Sequence, residues 1–277
     1  MNALQRIGVI VWYEWKRALA KKSLIALLIL AVSFEVFPFM ILSGSSFSFM
    51  GTNIRETMWL TGVLAGQSLF VQLIAMQIAG SSMSEEYEQG TADVLLSKPI
   101  TRGQYLIGKF LGGILLLSFV EVITTVTALV LSYGIFGTQR DIQFVPVMFV
   151  AIIYSILVFY SLTFMFSEFL RRSNLAMFAG FGVFMVSQIA GIFSAFSTGQ
   201  LYGGMAQLLP TWSATAFPVS LAADLNVSSG SFFVSALTLV VPGDTRLAAA
   251  IIAVYTLIFF LLAYVRFAKS DVTKKTA

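Results

Sequence analysis

The chain has 277 residues, of which 58% are apolar and only 11% charged, with a net charge of +4 and a mean hydropathy of +0.88. A soluble domain carries roughly 25% charged residues, so this composition excludes a water-soluble globule and a disordered chain. Cysteine and histidine are both absent, which removes disulfides, thiol catalysis, Cys/His zinc sites and the Ser–His–Asp triad.

Residues 4–22 read as a basic amphipathic helix lying on a membrane surface. Leu4, Ile7, Val11, Trp15 and Leu19 recur at steps of three and four, with Arg6, Lys16, Arg17 and Lys21 on other faces. Six stretches then approach the roughly 20 apolar residues that a helix needs to cross hydrocarbon. They are 23–42, 58–80, 110–133, 144–166, 175–196 and 247–267. Continuous apolar runs, not short alternating ones, point to helices and away from a barrel. The expectation is an all-α polytopic membrane protein of six spans forming one domain over 1–277. A cleaved signal peptide is not expected, because the first apolar core follows 22 residues of charged chain and contains Glu35.

Basic residues orient the chain. They gather before the first span, between the second and third, between the fourth and fifth, and after the sixth. Only Arg55, Arg140 and Arg246 of the 17 fall on the other side. Both termini are therefore expected in the cytoplasm. The positive charge is accounted for by this retention signal, and nucleic-acid binding is not inferred from it.

Glu35 in the first span and Glu121 in the third are carboxylates placed deep in apolar runs. Each must be protonated, paired or facing water, since a charge at the bilayer centre costs at least about 2.5–3.5 kcal/mol. They are either proton-relay or cavity-lining residues, or neutral acids bonded to nearby polar side chains. In the second span, Thr61, Ala65, Ser68, Gln72, Ala75 and Ala79 share one helical face. That face either packs on another helix or lines a wet pathway.

The loop 81–109 is the longest cytoplasmic connection. Its cluster Glu85, Glu86 and Glu88 suits the first turn of a helix, where free amides are partly positive. Pro99 is expected to end that helix, and Thr101 with Gln104 forms a T-x-x-Q capping box for the next. Gly103–Phe110 nearly matches a phosphate-binding loop. Phe110 stands where a Ser or Thr would hold magnesium, and no strand precedes it. No nucleotide site follows from it.

In the fifth span Ser187, Gly191 and Ala195 repeat every four residues, a spacing that lets helix backbones approach. The partner is either another helix of the same chain or a second subunit across a dimer seam. The outer segment 197–245 holds prolines at 210, 218 and 242 and an apolar run, 232–241, too short to span. Short re-entrant or interfacial helices are expected there. Asn226-Val227-Ser228 is a weak glycosylation sequon.

Met83-Ser84-Glu85-Glu86-Tyr87-Glu88-Gln89-Gly90-Thr91, then Leu95-Leu96-Ser97-Lys98-Pro99-Ile100-Thr101-Arg102, then Gly108-Lys109 resembles the ABC-2 type transporter permease family. Its members look like S-x-E-x-x-x-G-T, L-L-s-x-P-[IV]-[ST]-R and G-K between their second and third spans. The resemblance covers essentially the whole chain through the six-span map. It implies a plasma-membrane permease subunit, usually of an exporter, that forms a homodimer or heterodimer. ATP and magnesium would be bound by a separate ATPase subunit, and this chain would hold no cofactor and no metal. The resemblance also places a coupling helix between spans two and three, with Glu85, Glu86, Glu88, Gly90 and Thr91 in or beside it. Two other classes stay open: a self-contained secondary transporter that uses the intramembrane carboxylates, and a force-transmitting membrane scaffold.

Overall fold

The computed structural model describes residues 3–43, 55–91, 100–199, 202–227 and 243–269. Among them the chain is all helix, with no strand. Eight α-helices follow in order: α1 (Ala3–Leu19), α2 (Lys22–Leu42), α3 (Met58–Gln89), α4 (Arg102–Phe136), α5 (Val145–Leu170), α6 (Ser173–Thr198), α7 (Pro210–Asp224) and α8 (Thr245–Lys269). Within α3, residues Gln67–Val71 form a π turn.

Five helices are long and apolar enough to cross a membrane: α3, α4, α5 with its preceding turn from Ile142, α6 and α8. They overlap five of the six expected spans; the second keeps its start at Met58 but runs on to Gln89, and the third begins earlier, at Arg102. The sixth, 23–42, is a helix of 21 residues, Lys22–Leu42. At 1.5 Å per residue the 35 residues of α4 reach about 52 Å, well beyond a hydrocarbon layer of about 30 Å. Its first turns therefore extend past the apolar slab.

The core centres on α5, which packs against α3, α6, α7 and α8. Ile152, Ile156, Phe159, Tyr160 and Phe164 of α5 are fully buried. Phe110 of α4 sits in an aromatic cluster with Tyr160, Phe164 and Phe260, ring centroids 4.8–5.3 Å apart. The outward faces of α6 and α8 instead expose Phe178, Val186, Phe193, Leu257 and Leu261, as helices solvated by lipid do.

One expectation is corrected and two are refined. The acidic cluster does not open a helix: α3 runs on through Glu85, Glu86 and Glu88 and ends at Gln89. Gly90 closes it with a left-handed backbone, φ +68. Thr91 N–H then donates to the Glu86 carbonyl at 3.0 Å, a helix-ending arrangement that glycine favours. Residues 92–99, with the expected stop at Pro99, lie outside the described residues.

The first refinement concerns α1, an amphipathic helix as expected, whose Val11 and Trp15 pack on α4. Its bundle-facing stripe holds Ile10 and Glu14, while Leu4 and Leu19 are exposed. Two glycines on α4 decide this. A Cβ on Gly108 would lie 2.8 Å from Ile10, and one on Gly112 would lie 2.8 Å from Glu14. The groove they leave accepts α1 along that line and no other.

The second refinement concerns the outer segment. Of the two forms expected there, the single described α-helix, α7, fits a re-entrant helix better than an interfacial one: Trp212, Ala214, Ala216 and Val219 are buried against α5, α6 and α8. At 15 residues it is too short to span. The run 232–241 lies outside the described residues.

Thr101 caps α4 as expected. Its hydroxyl accepts from Gln104 N–H, and the Gln104 side chain accepts from Thr101 N–H, both at 3.3 Å.

Candidate functional site

The C-terminal end of α3 is held by four other helices, and the connection at 91–101 begins where they meet. On one side stand α1 and α4. Lys109 of α4 is 0% exposed, wedged between the two glycines that admit α1. Its ammonium donates to the Ser82 carbonyl at 2.9 Å and to Glu86, and it lies 2.6 Å from Glu14. Arg17 of α1 donates to Glu14 at 2.9 Å, to the Ser82 carbonyl at 3.1 Å and to Glu86 at 3.4 Å. Lys21 donates to Glu85 at 2.6 Å and to the Ser81 hydroxyl at 2.8 Å. Burial draws the Lys21 ammonium below its ordinary pKa, and the bond to Glu85 opposes that shift.

Glu14, Glu85 and Glu86 thus meet Arg17, Lys21 and Lys109: three acids and three bases, formally neutral. The arrangement follows from cost. An uncompensated buried charge is strongly destabilising, so each is paired and hydrogen-bonded. It also offsets the unfavourable placing of carboxylates at a helix C-terminus.

On the other side stand α5 and α6. The Ser84 hydroxyl lies 2.8 Å from that of Ser167, whose oxygen also accepts from Ser84 N–H at 2.9 Å. Tyr87 donates to Glu168 at 2.8 Å, and the Arg171 guanidinium lies over the Tyr87 ring at 4.6 Å. Glu88 accepts from Ser173 N–H at 2.8 Å, so it caps the start of α6, where negative charge is favoured. Four helices are therefore fixed to the last three turns of α3. Such a joint can carry a displacement of the 91–101 connection into α1, α4, α5 and α6 together.

Glu85, Glu86 and Glu88 come together here as the sequence suggests, but each is engaged within the chain. Gln89 and Gly90 remain exposed, and Thr91 is half-buried. The sequence reading missed Glu14 and Lys109 as buried partners. A signal was present: Gly108 and Gly112 make a G-x-x-x-G step around Lys109, the spacing at which helices approach closely.

The intramembrane polar residues fall elsewhere. Glu35, Thr61, Gln72 and Glu121 are all buried. The Ser68 side chain lies outside the described residues. Glu121 accepts from Thr125 at 3.3 Å and from Thr124 at 3.5 Å. Of the small-residue stripe on α6, Ser187 bonds Thr211 of α7 at 2.6 Å. Gly191 seats the Tyr202 ring, which would lie 2.1 Å from a Cβ there. These two positions face the chain's own outer segment, while the Ala195 side chain lies outside the described residues. No cluster of three or more Asp and Glu side chains suited to a metal occurs among the described residues.

Comparison with curated proteins returns no match. A family model described as ABC-2 family transporter protein matches residues 9–272, and so takes in the joint, all the membrane-crossing helices and the outer segment. The chain belongs to the ABC-2 family of transporter proteins, as a multi-pass membrane permease subunit that is not itself catalytic.

Proposed function

We propose that this chain is half of the membrane domain of an ABC-2 exporter in the plasma membrane. It pairs with a second permease, identical or related, and is driven by ATP and magnesium bound on a separate ATPase. In this reading α2 is the first of six spans and both termini are cytoplasmic, as the distribution of basic residues favours. The observation that carries the reading is the joint around the end of α3. The ATPase engages the exposed turn at Gln89, Gly90 and Thr91 and the residues that follow. Glu85, Glu86 and Glu88 serve from inside, by fixing that turn to the bundle.

A push on the turn is then delivered to α1 and α4 through Lys109 and Arg17, and to α5 and α6 through Ser167 and Glu88. A loosely attached loop would dissipate it. The intended cargo is not specified by any side chain described above, and the apolar surfaces suit lipid contact as well as hydrophobic cargo.

The test is co-purification with the ATPase and measurement of ATP turnover in the assembled complex. Gly90→Trp should weaken association or uncouple turnover while the permease still folds, because nothing lies within 4 Å of a Cβ at Gly90. Gly90→Ala separates the backbone strain from the bulk. The isolated chain should bind no nucleotide. If association and turnover both survive Gly90→Trp, the contact has been assigned to the wrong segment.

A further inference from the structure

Two carboxyl groups lie in the middle of the bundle, away from the joint. Glu35 on α2 is 0% exposed, and Glu121 on α4 is 1% exposed. Their depth follows from the geometry. Glu121 is twelve residues beyond Lys109 on α4, about 18 Å further into the slab. Phe34 packs against Phe70 with ring centroids 4.4 Å apart and the rings tilted, which sets Glu35 at the level of the π turn in α3. Such turns interrupt a helix at some cost and recur at functional positions.

The two groups lie within electrostatic reach of each other, with Glu35 beside the Ala128 backbone. Above them the seam is shut, since Gly62 of α3 packs on the Phe39 ring and on Ala128.

Neither oxygen of Glu35 has a hydrogen-bond partner, and the same holds for the Thr61 hydroxyl and the Gln72 amide on α3. The Thr125 hydroxyl donates to the Glu121 carboxyl, and that of Thr124 is shared between this carboxyl and the Val120 and Glu121 carbonyls of its own helix. Cations are remote. On α4 they are Arg102 and Lys109, toward the cytoplasm, and on α2 the basic residue is Lys22 at its start. The part of α3 from Met58 to Val71 carries no titratable side chain. The charges of α1 near α2, namely Glu14 and Arg17, and Lys21 just after it, are spent in the joint.

Two ionised carboxylates so placed would be desolvated, mutually repelled and short of donors. A proton on Glu35 relieves the desolvation and the repulsion together, because it removes one of the two charges, and it leaves fewer acceptors to be served. We propose that Glu35 and Glu121 form an intramembrane proton-binding pair that holds at least one proton at neutral pH. The proton leaves only when water enters between α2 and α4. Any conformational cycle that opens this seam is then linked to proton release, beyond what ATP coupling requires.

The test uses the full chain in lipid nanodiscs. Infrared difference spectra should show the carbonyl stretch of a protonated carboxyl in neutral buffer, absent from the double variant Glu35→Gln, Glu121→Gln. Glutamine copies the neutral acid in shape, so this variant should fold. Dicyclohexylcarbodiimide, which seeks protonated carboxyls in apolar surroundings, should label Glu35 or Glu121 of the unmodified chain. The yield should fall several-fold as pH is raised towards about 10. The proposal is overturned if the infrared band persists in the double variant, if neither residue is labelled, or if the yield does not change with pH.

Discussion

Replacing Lys109 by methionine removes one charge from the joint and keeps nearly the same volume. Lys109 is fully enclosed and serves Glu14, Glu86 and the Ser82 carbonyl. Removing one partner of a buried ion pair costs about 3–5 kcal/mol. Arg17 still reaches Glu14 at 2.9 Å and Glu86 at 3.4 Å, which holds the expected loss for Lys109→Met near about 3 kcal/mol, the lower end of that range. Against a total of about 5–15 kcal/mol this is a large fraction. The second perturbation removes the partner as well. In Lys109→Met, Glu86→Leu the Glu14–Arg17 pair survives, and exchange of a buried ion pair for apolar groups is often neutral. The double variant should therefore regain most of the lost stability, with a coupling energy of about 2 kcal/mol. Unfolding by a denaturing detergent in mixed micelles measures all four corners of the cycle. The reasoning fails if Lys109→Met matches the parent, or if the double variant loses the sum of the two singles.

Gly112→Leu should lift α1 off α4, because even a Cβ there would lie 2.8 Å from Glu14; limited proteolysis should then cut within α1, and unchanged protection would refute the docking. Gly191→Leu should displace the Tyr202 ring and cost about 1–3 kcal/mol by overpacking, read as a lower melting temperature in lipid. Thr101→Ala removes the capping hydroxyl of α4 and should cost about 1 kcal/mol, with Thr101→Ser restoring most of it.

The spans were legible because solvation by hydrocarbon leaves one composition and one length. The capping box was legible because it is local: two side chains, three residues apart, satisfy two free amides. The helix faces were not. In water, an apolar stripe on a helix marks the side that packs. In a bilayer, the side facing lipid is just as apolar, so periodicity on α1 and α6 could not say which face meets protein. The exposed Leu4 and Phe193 and the buried Ile10 and Phe184 are alike in kind. What separates them is the surface a neighbouring helix offers, Gly108 of α4 for Ile10 and Phe159 of α5 for Phe184, and that is a property of two segments apart in the chain.

The same argument explains why the most informative residues of the joint were the least transparent. Lys109 and Arg17 count among the basic residues whose uneven distribution biases the orientation of the chain, a role any lysine at the membrane edge would fill. Their second role needs Glu14, Glu85 and Glu86 within reach, and these come from helices up to 95 positions apart in sequence from Lys109 to Glu14. The motif residues Ser84, Glu86, Gly90, Gly108 and Lys109 occur together because they build one object. Ser84 fixes α3 to α5, Glu86 receives Lys109, Gly90 ends the helix, and Gly108 admits α1. Such a set predicts coupled effects on mutation: a change at Ser84, Glu86, Gly108 or Lys109 should disturb the exposed turn at Gln89 and Gly90 without touching it. A residue that contacted the ATPase directly would instead leave the stability of the isolated permease unchanged. Stability and ATPase turnover measured on the same variants therefore divide the loop 81–109 into residues that hold the joint and residues that meet the partner.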